Sequence, residues 1–279
     1  RMFEERMAAI EKTEDAYATA TGMAAVHGAL FSILKPGDHL VASRALFGSC
    51  LYIIEELLPR FGVAISFVDG TNLDDWERSI TTKTKVVFLE PISNPTLEII
   101  DLATVSEIAH RKGALVIVDN VFTTPVFSLA SSLGADVIIY SATKHIDGQG
   151  RCLGGVICGT EKFIQNVVLP FMKHTGGSLS PFNAWILLKS LETINLRCRT
   201  QAESAFKIAK SLEKHTKMKK IVYPYLKSHS QYLLAKKQMT AGGTVISIEL
   251  VGNKKETFSF LNNLKIISIS NNLGDSRSL

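Results

Sequence analysis

The chain has 279 residues, 46% of them hydrophobic and 20% charged, with a formal net charge of +5 at pH 7. This is too apolar for a disordered or fibrous chain, and it is long enough to bury one large core and begin a second. The charge is mild, and the lysines of residues 207–220 are spaced like a solvated helix face without aromatic interleaving, so nucleic acid is not an expected partner.

In chain order, Thr21-Gly22-Met23 predicts the start of a helix that continues through Leu34. Short apolar runs at 39–42, 63–68, 85–89, 114–118, 136–140 and 153–158 predict strands, with amphipathic stretches of helical length between them. One such stretch is 101–112, with Asp101 as its N-cap and Gly113 as the stop after Lys112. The alternation predicts an α/β fold with a mostly parallel sheet. From Pro181 a long pattern runs to about residue 216 and predicts a helical connector into a smaller α/β domain. Strands at 244–250 and 265–270, with a helix at 254–261 between them, would build that domain. The expected division is therefore a large domain at 1–190 and a small one at 191–279.

Asp119 closes the run Ala114-Leu115-Val116-Ile117-Val118, and Lys144 follows Asp136-Val137-Ile138-Ile139-Tyr140 in Ser141-Ala142-Thr143-Lys144-His145. Both runs read as buried parallel strands, so the acid and the lysine are expected at one carboxyl edge, where open α/β sheets bind ligands. An acid for a pyridinium nitrogen, an amine for a covalent anchor and hydroxyls beside that amine are what pyridoxal 5'-phosphate requires. Taken singly, Lys144 also fits a surface lysine and Asp119 a strand-end turn. The helix start at Gly22 and Met23 offers unpaired N–H groups and a positive dipole end that suit a phosphate, although an ordinary capped helix starts the same way.

The four cysteines, Cys50, Cys152, Cys158 and Cys198, form no C-x-x-C pair, which reads as reduced thiols in a cytoplasmic protein. His27, His145 and His174 share no ligand spacing, so no metal is expected. Gly148-Gln149-Gly150-Arg151-Cys152-Leu153-Gly154 imitates a dinucleotide loop, but its third glycine is one residue late and no strand directly precedes it. No apolar stretch reaches membrane-spanning length and no signal peptide is visible, so no membrane partner is expected.

The blocks Ala20-Thr21-Gly22-Met23-Ala24-Ala25, Glu90-Pro91-Ile92-Ser93-Asn94-Pro95, Val118-Asp119-Asn120, Ser141-Ala142-Thr143-Lys144, Leu153-Gly154-Gly155, Leu226-Lys227-Ser228-His229 and Asn272-Leu273-Gly274 span almost the whole chain. In this order they resemble the Cys/Met metabolism family of pyridoxal phosphate enzymes. The resemblance implies a fold-type-I, PLP-dependent transferase fold with a shortened C-terminal domain. It also implies that Lys144 is both covalent anchor and proton carrier, that Asp119 holds the ring nitrogen, and that Asn94 lies near the cofactor's phenolic oxygen. The Gly22 and Met23 amides and the Ser141 and Thr143 hydroxyls would share the phosphate. Asn272 and Leu273 would meet the substrate, and Glu90 is given a supporting role.

Phe47, in Ala45-Leu46-Phe47-Gly48-Ser49, stands where most of the family resembles Tyr-Gly, so the ring-stacking surface is kept and the hydroxyl is lost. Phe-Gly here, with Asn183-Ala184-Trp185 and Asp147-Gly148-Gln149-Gly150-Arg151, is most similar to the O-succinylhomoserine sulfhydrylase branch. That implies γ-replacement of O-succinylhomoserine by sulfide to give homocysteine. Cystathionine γ-synthase, a cystathionine or methionine lyase, and a non-catalytic chain are the alternatives. The family pattern also has a Tyr-x-Arg segment upstream of Arg1 and a carboxylate-binding arginine downstream of Leu279. The expectation is a homotetramer, built as a dimer of dimers, with weak cofactor binding by these residues alone.

Overall fold

A computed structural model describes residues 1–279 and contains one seven-stranded sheet and one two-stranded sheet. The large sheet is built from β1 (Asp15–Thr19), β2 (His39–Ser43), β3 (Ala64–Val68), β4 (Thr84–Leu89), β5 (Leu115–Asp119), β6 (Val137–Ser141) and β7 (Gly155–Gly159). Its order is β1-β7-β6-β5-β4-β2-β3, and β3, β2, β4, β5 and β6 are mutually parallel. Only β7 runs against its neighbours. The connection explains this: residues 142–154 contain no crossover helix, so the chain turns back beside β6 in the opposite sense.

Successive residues of the central strands alternate between two apolar clusters. Val87, Leu89, Val116, Val118 and Ile138 pack with Leu102 and Val105, whereas Val86, Phe88, Ile117, Val137 and Ile139 pack with Val26 and Leu30. The sheet is thus buried on both faces, which is why these strands read as unbroken apolar runs. β1 was not legible from the sequence. Its residues Asp15-Ala16-Tyr17-Ala18-Thr19 carry two alanines and an aspartate, poor strand formers, and the strand exists because all five pair with β7 at the sheet edge.

The helix after Thr21 is Gly22–Phe31, shorter than expected, and the Thr21 hydroxyl caps it by accepting from Ala24 N–H at 3.0 Å. Asp101 caps Leu102–Arg111 by accepting from Thr104 N–H at 3.2 Å, and Gly113 follows with φ of +77°. The expected connector 181–216 is two helices, Pro181–Leu191 and Ile194–Leu212. At the break, the Ser190 carbonyl accepts from Thr193 N–H at 3.2 Å in a tighter turn and also from Arg197 at 3.1 Å.

The small sheet pairs β8 (Met218–Val222) with β9 (Ser247–Leu250), so the strand expected at 244–250 begins at Ser247. The helix expected at 254–261 is Lys254–Asn262, capped by Asn253, whose side chain accepts from Lys255 N–H at 2.8 Å. The strand expected at 265–270 does not form. Lys265-Ile266-Ile267-Ser268-Ile269-Ser270 has strand propensity, but no neighbouring strand pairs with it, and Ile266 is 87% exposed. Propensity without a partner does not make a strand.

Candidate active site

β5 and β6 are adjacent and parallel, with Asp119 opposite Ile139, so Asp119 and Ser141 end at the same edge of the sheet. The turn after Ser141 carries Thr143 and Lys144. Its geometry is held from a distance, because Arg197 donates to the carbonyls of His145 at 2.8 Å and Ile146 at 3.1 Å. Gly22, Met23, Phe47, Asn94, Asp119, Ser141, Thr143, Lys144 and Leu273 all line one cavity of about 260 Å³. Asn272 lies outside that lining, yet its Oδ1 accepts from Lys144 Nζ at 2.5 Å. Val26, Glu90, Val121, Phe122, Leu153 and Asn271 also line the cavity. The apolar members among them look like ordinary core positions in the sequence, and only the fold shows that they face a cavity.

Two polar clusters define what the cavity can hold. In the first, the helix beginning at Gly22 abuts the end of β6: a Cβ on Gly22 would sit 2.6 Å from Ser141 Cβ, so only glycine permits this approach. The Gly22 and Met23 N–H groups have no intramolecular acceptor, as expected for the first turn of a helix. The Ser141 hydroxyl stands beside them, and the group is shaped for an anion. Gly155 holds the other side of this contact, since a Cβ there would meet the Thr21 carbonyl oxygen at 2.3 Å. Thr143 is partly committed to the fold, its hydroxyl accepting from Gly154 N–H at 3.1 Å.

The second cluster is acidic. The ligating atoms of Cys50, Glu90 and Asp119 lie within 4.8 Å of one another. Asp119 Oδ1 accepts from Val121 N–H at 3.1 Å, and Cys50 Sγ donates to Oδ2 at 3.9 Å. Loss of solvent pushes the Asp119 carboxyl up to about 6, and burial followed by the charge of Asp119 raises Glu90 well above the carboxylate range. Glu90 Oε1 also accepts from Phe47 N–H at 2.6 Å, which fixes the backbone of the residue whose ring lines the cavity. Half-burial lowers the pKa of Lys144 by desolvation.

The features set aside in the sequence have structural roles. In the glycine loop, Asp147 accepts from Arg151 Nε at 3.0 Å and from its N–H at 2.7 Å. His27 stacks on Phe31 with ring centroids 4.4 Å apart. His145 is buried, with Nε2 2.8 Å from Thr244 Oγ1. All four cysteines are free, and no helix is long and apolar enough to cross a membrane.

An amine beside orphaned helix N–H groups, and a desolvated carboxyl without a cation, suit a phosphorylated aromatic ring with a cationic nitrogen and a carbonyl carbon. This class of site is that of pyridoxal phosphate enzymes. The Cys/Met metabolism PLP-dependent enzyme family matches over residues 1–279, and the chain belongs to that family. It is 49% identical to an O-succinylhomoserine sulfhydrylase of Mycobacterium tuberculosis, covering all of this chain and 70% of the relative. Identity to the O-succinylhomoserine sulfhydrylase of Pseudomonas aeruginosa is 42%, covering 100% of this chain and 69% of the relative. An L-methionine gamma-lyase of Fusobacterium nucleatum is 37% identical, again over all of this chain and 71% of the relative. Among solved structures, metB from Corynebacterium glutamicum superposes with a TM-score of 0.96 at 29% identity, covering 99% of this chain and 71% of the other. The protein is thus a pyridoxal-phosphate-dependent enzyme of sulfur amino acid metabolism acting on small molecules.

Proposed function

We propose that the chain carries the active site of an O-succinylhomoserine sulfhydrylase. It would exchange the acyloxy group at the γ-carbon of the substrate for sulfide, giving homocysteine and free succinate. The observation that carries this reading is the convergence of Lys144, Asp119 and the Gly22–Ser141 contact on one cavity, in a chain with two sulfhydrylases among its relatives. The cofactor, when bound, supplies an electron sink for negative charge at the substrate α-carbon.

Each side chain then has a defined task. The Gly22 and Met23 N–H groups, with the Ser141 and Thr143 hydroxyls, hold the phosphate. Asp119 holds the protonated ring nitrogen, and Asn94 serves the phenolic oxygen. Lys144 anchors the cofactor covalently, and its amine, once free, takes the α-proton. A desolvated lysine spends more of its time neutral, so burial equips it for that work. Asn272 holds the amine at 2.5 Å and, with Leu273, borders the substrate. Phe47 would offer the ring a stacking face but has no hydroxyl, so the proton transfers would fall to Lys144.

The division into a cofactor-bearing unit at 1–190 and a smaller unit at 191–279 belongs to the same reading. So does assembly as a dimer of dimers. No arginine lines the cavity, whereas a desolvated phosphate dianion recruits guanidinium groups, which a neighbouring subunit would supply.

Phe47→Leu removes the aromatic face and is expected to weaken cofactor retention by about 0.5 to 1.5 kcal/mol beyond the lost area. Phe47→Tyr should leave sulfide replacement broadly intact. Equilibrium dialysis and initial rates check both, and a many-fold gain in the tyrosine variant would count against the sulfhydrylase reading. The reaction itself is tested by incubating the holoenzyme with succinyl, acetyl and phospho homoserine, with sulfide, with cysteine and with neither. Homocysteine from the succinyl ester and sulfide is the expected product. Preferential release of ammonia and a 2-oxo acid without sulfide would make the protein a lyase, and preferential use of cysteine a cystathionine synthase.

A further inference from the structure

Glu90 directly follows β4 and Asp119 ends the adjacent β5, and their oxygen atoms lie close together in the same acidic cluster. Glu90 is only 4% exposed. Its carboxyl accepts from Phe47 N–H, and that of Asp119 from Val121 N–H and Cys50 Sγ; no lysine or arginine bonds to either. The titratable side chains that face Glu90 are Asp119 from β5 and Cys50 from the helix Gly48–Tyr52, while Lys144 lines the same cavity and donates its hydrogen bond to Asn272 Oδ1.

Two carboxyls this close in poor solvent disfavour double ionisation, because each anion raises the cost of the other. A cationic ring nitrogen seated on Asp119 reverses the local field and stabilises both anions. We propose that Glu90 is a positioning residue that acts through Asp119: the pair keeps one proton while no cationic ring is seated, and releases it to solvent when one is. Only the O–H bond of that carboxyl breaks, and the proton passes to water. The charge at the ring nitrogen is then held by two carboxylates rather than one. The same side chain fixes the Phe47 backbone, so ring stacking and ring charge are set together. This inference rests on the reading that Asp119 meets the ring nitrogen.

Pyridoxine 5'-phosphate tests it, because this probe has the ring and the phosphate but no aldehyde for Lys144. The ionisations of the free probe are common to every variant and cancel in the comparison. Glu90→Gln keeps an acceptor for Phe47 N–H but cannot titrate, whereas Glu90→Ala loses both functions. Calorimetry in two buffers of different ionisation enthalpy, between pH 7 and 8, counts the protons released on binding. The wild type is expected to release up to about one proton more than Glu90→Gln, so that its Kd tightens more steeply with pH, by at most about tenfold per unit. Asp119→Asn should weaken the probe and abolish the excess proton. Equal proton counts in wild type and Glu90→Gln, with Asp119→Asn still weakened, would overturn the role of Glu90 alone. Unchanged affinity in Asp119→Asn would remove the ring-nitrogen reading and this inference with it.

Discussion

Lys144→Ala is expected to lower homocysteine formation by about ten-thousand-fold or more, because in the proposed reaction one amine would serve as covalent anchor and proton carrier. The variant should still fold, because the Lys144 amine bonds only to the Asn272 side chain. Far-UV circular dichroism and the thermal midpoint check this, and initial rates check the loss. Lys144→Arg restores the charge but not a neutral amine, so it should be as inactive as alanine. The pH dependence follows the same logic. A lysine works when unprotonated, so the rate rises as pH rises through its pKa, and burial moves that rise below the ordinary lysine value. A turnover within about tenfold of wild type in Lys144→Ala would remove the residue from the chemistry.

Asp119→Asn is expected to give the second largest effect. Its carboxyl lies in a desolvated cluster where an ionic contact is stronger than in water, and its work is greatest when negative charge develops on the substrate. Exchange of the substrate α-proton with deuterated solvent should slow by about a hundredfold or more, as when a preorganised electrostatic contact is removed elsewhere. Substrate affinity should change far less, because the ground state makes less use of that charge. Exchange at the wild-type rate would sink the assignment.

Much of the sheet was legible because its strands are apolar on both faces. The runs ending at Asp119 and Tyr140 stand out for that reason, and each is followed by polar residues at the edge where ligands bind. Gly22 could be read because a helix start needs a small residue wherever something must come close, although the structure adds that Ser141 is already that close neighbour. β1 was hidden because a short, alanine-rich edge strand depends on its partner. The break at Glu192-Thr193 was hidden because no glycine or proline marks it in Leu191-Glu192-Thr193-Ile194. The isoleucines of 265–270 misled in the opposite direction, their propensity unanswered by any neighbour.

Within the site, Gly22, Met23, Asp119, Ser141, Thr143 and Lys144 could be read from type and position, whereas Phe47, Asn94, Asn272 and Leu273 entered through the family resemblance. The apolar lining could not be read, since Val26 and Val121 have the composition of core. Glu90 carries the same signal as Asp119, an acid at the end of an apolar strand. Its proximity to Asp119 became evident only from the parallel pairing of β4 and β5.

The most direct test of the site is to reduce the holoenzyme with borohydride, digest it and map the modified peptide by mass spectrometry. Reduction fixes the cofactor to whichever amine holds its aldehyde carbon. The modified residue is expected to be Lys144, in the peptide that contains Ser141 and Thr143, with no other lysine labelled above background. Label on a different lysine, or none in a preparation that retains cofactor, would contradict the placement of the active site at the ends of β5 and β6.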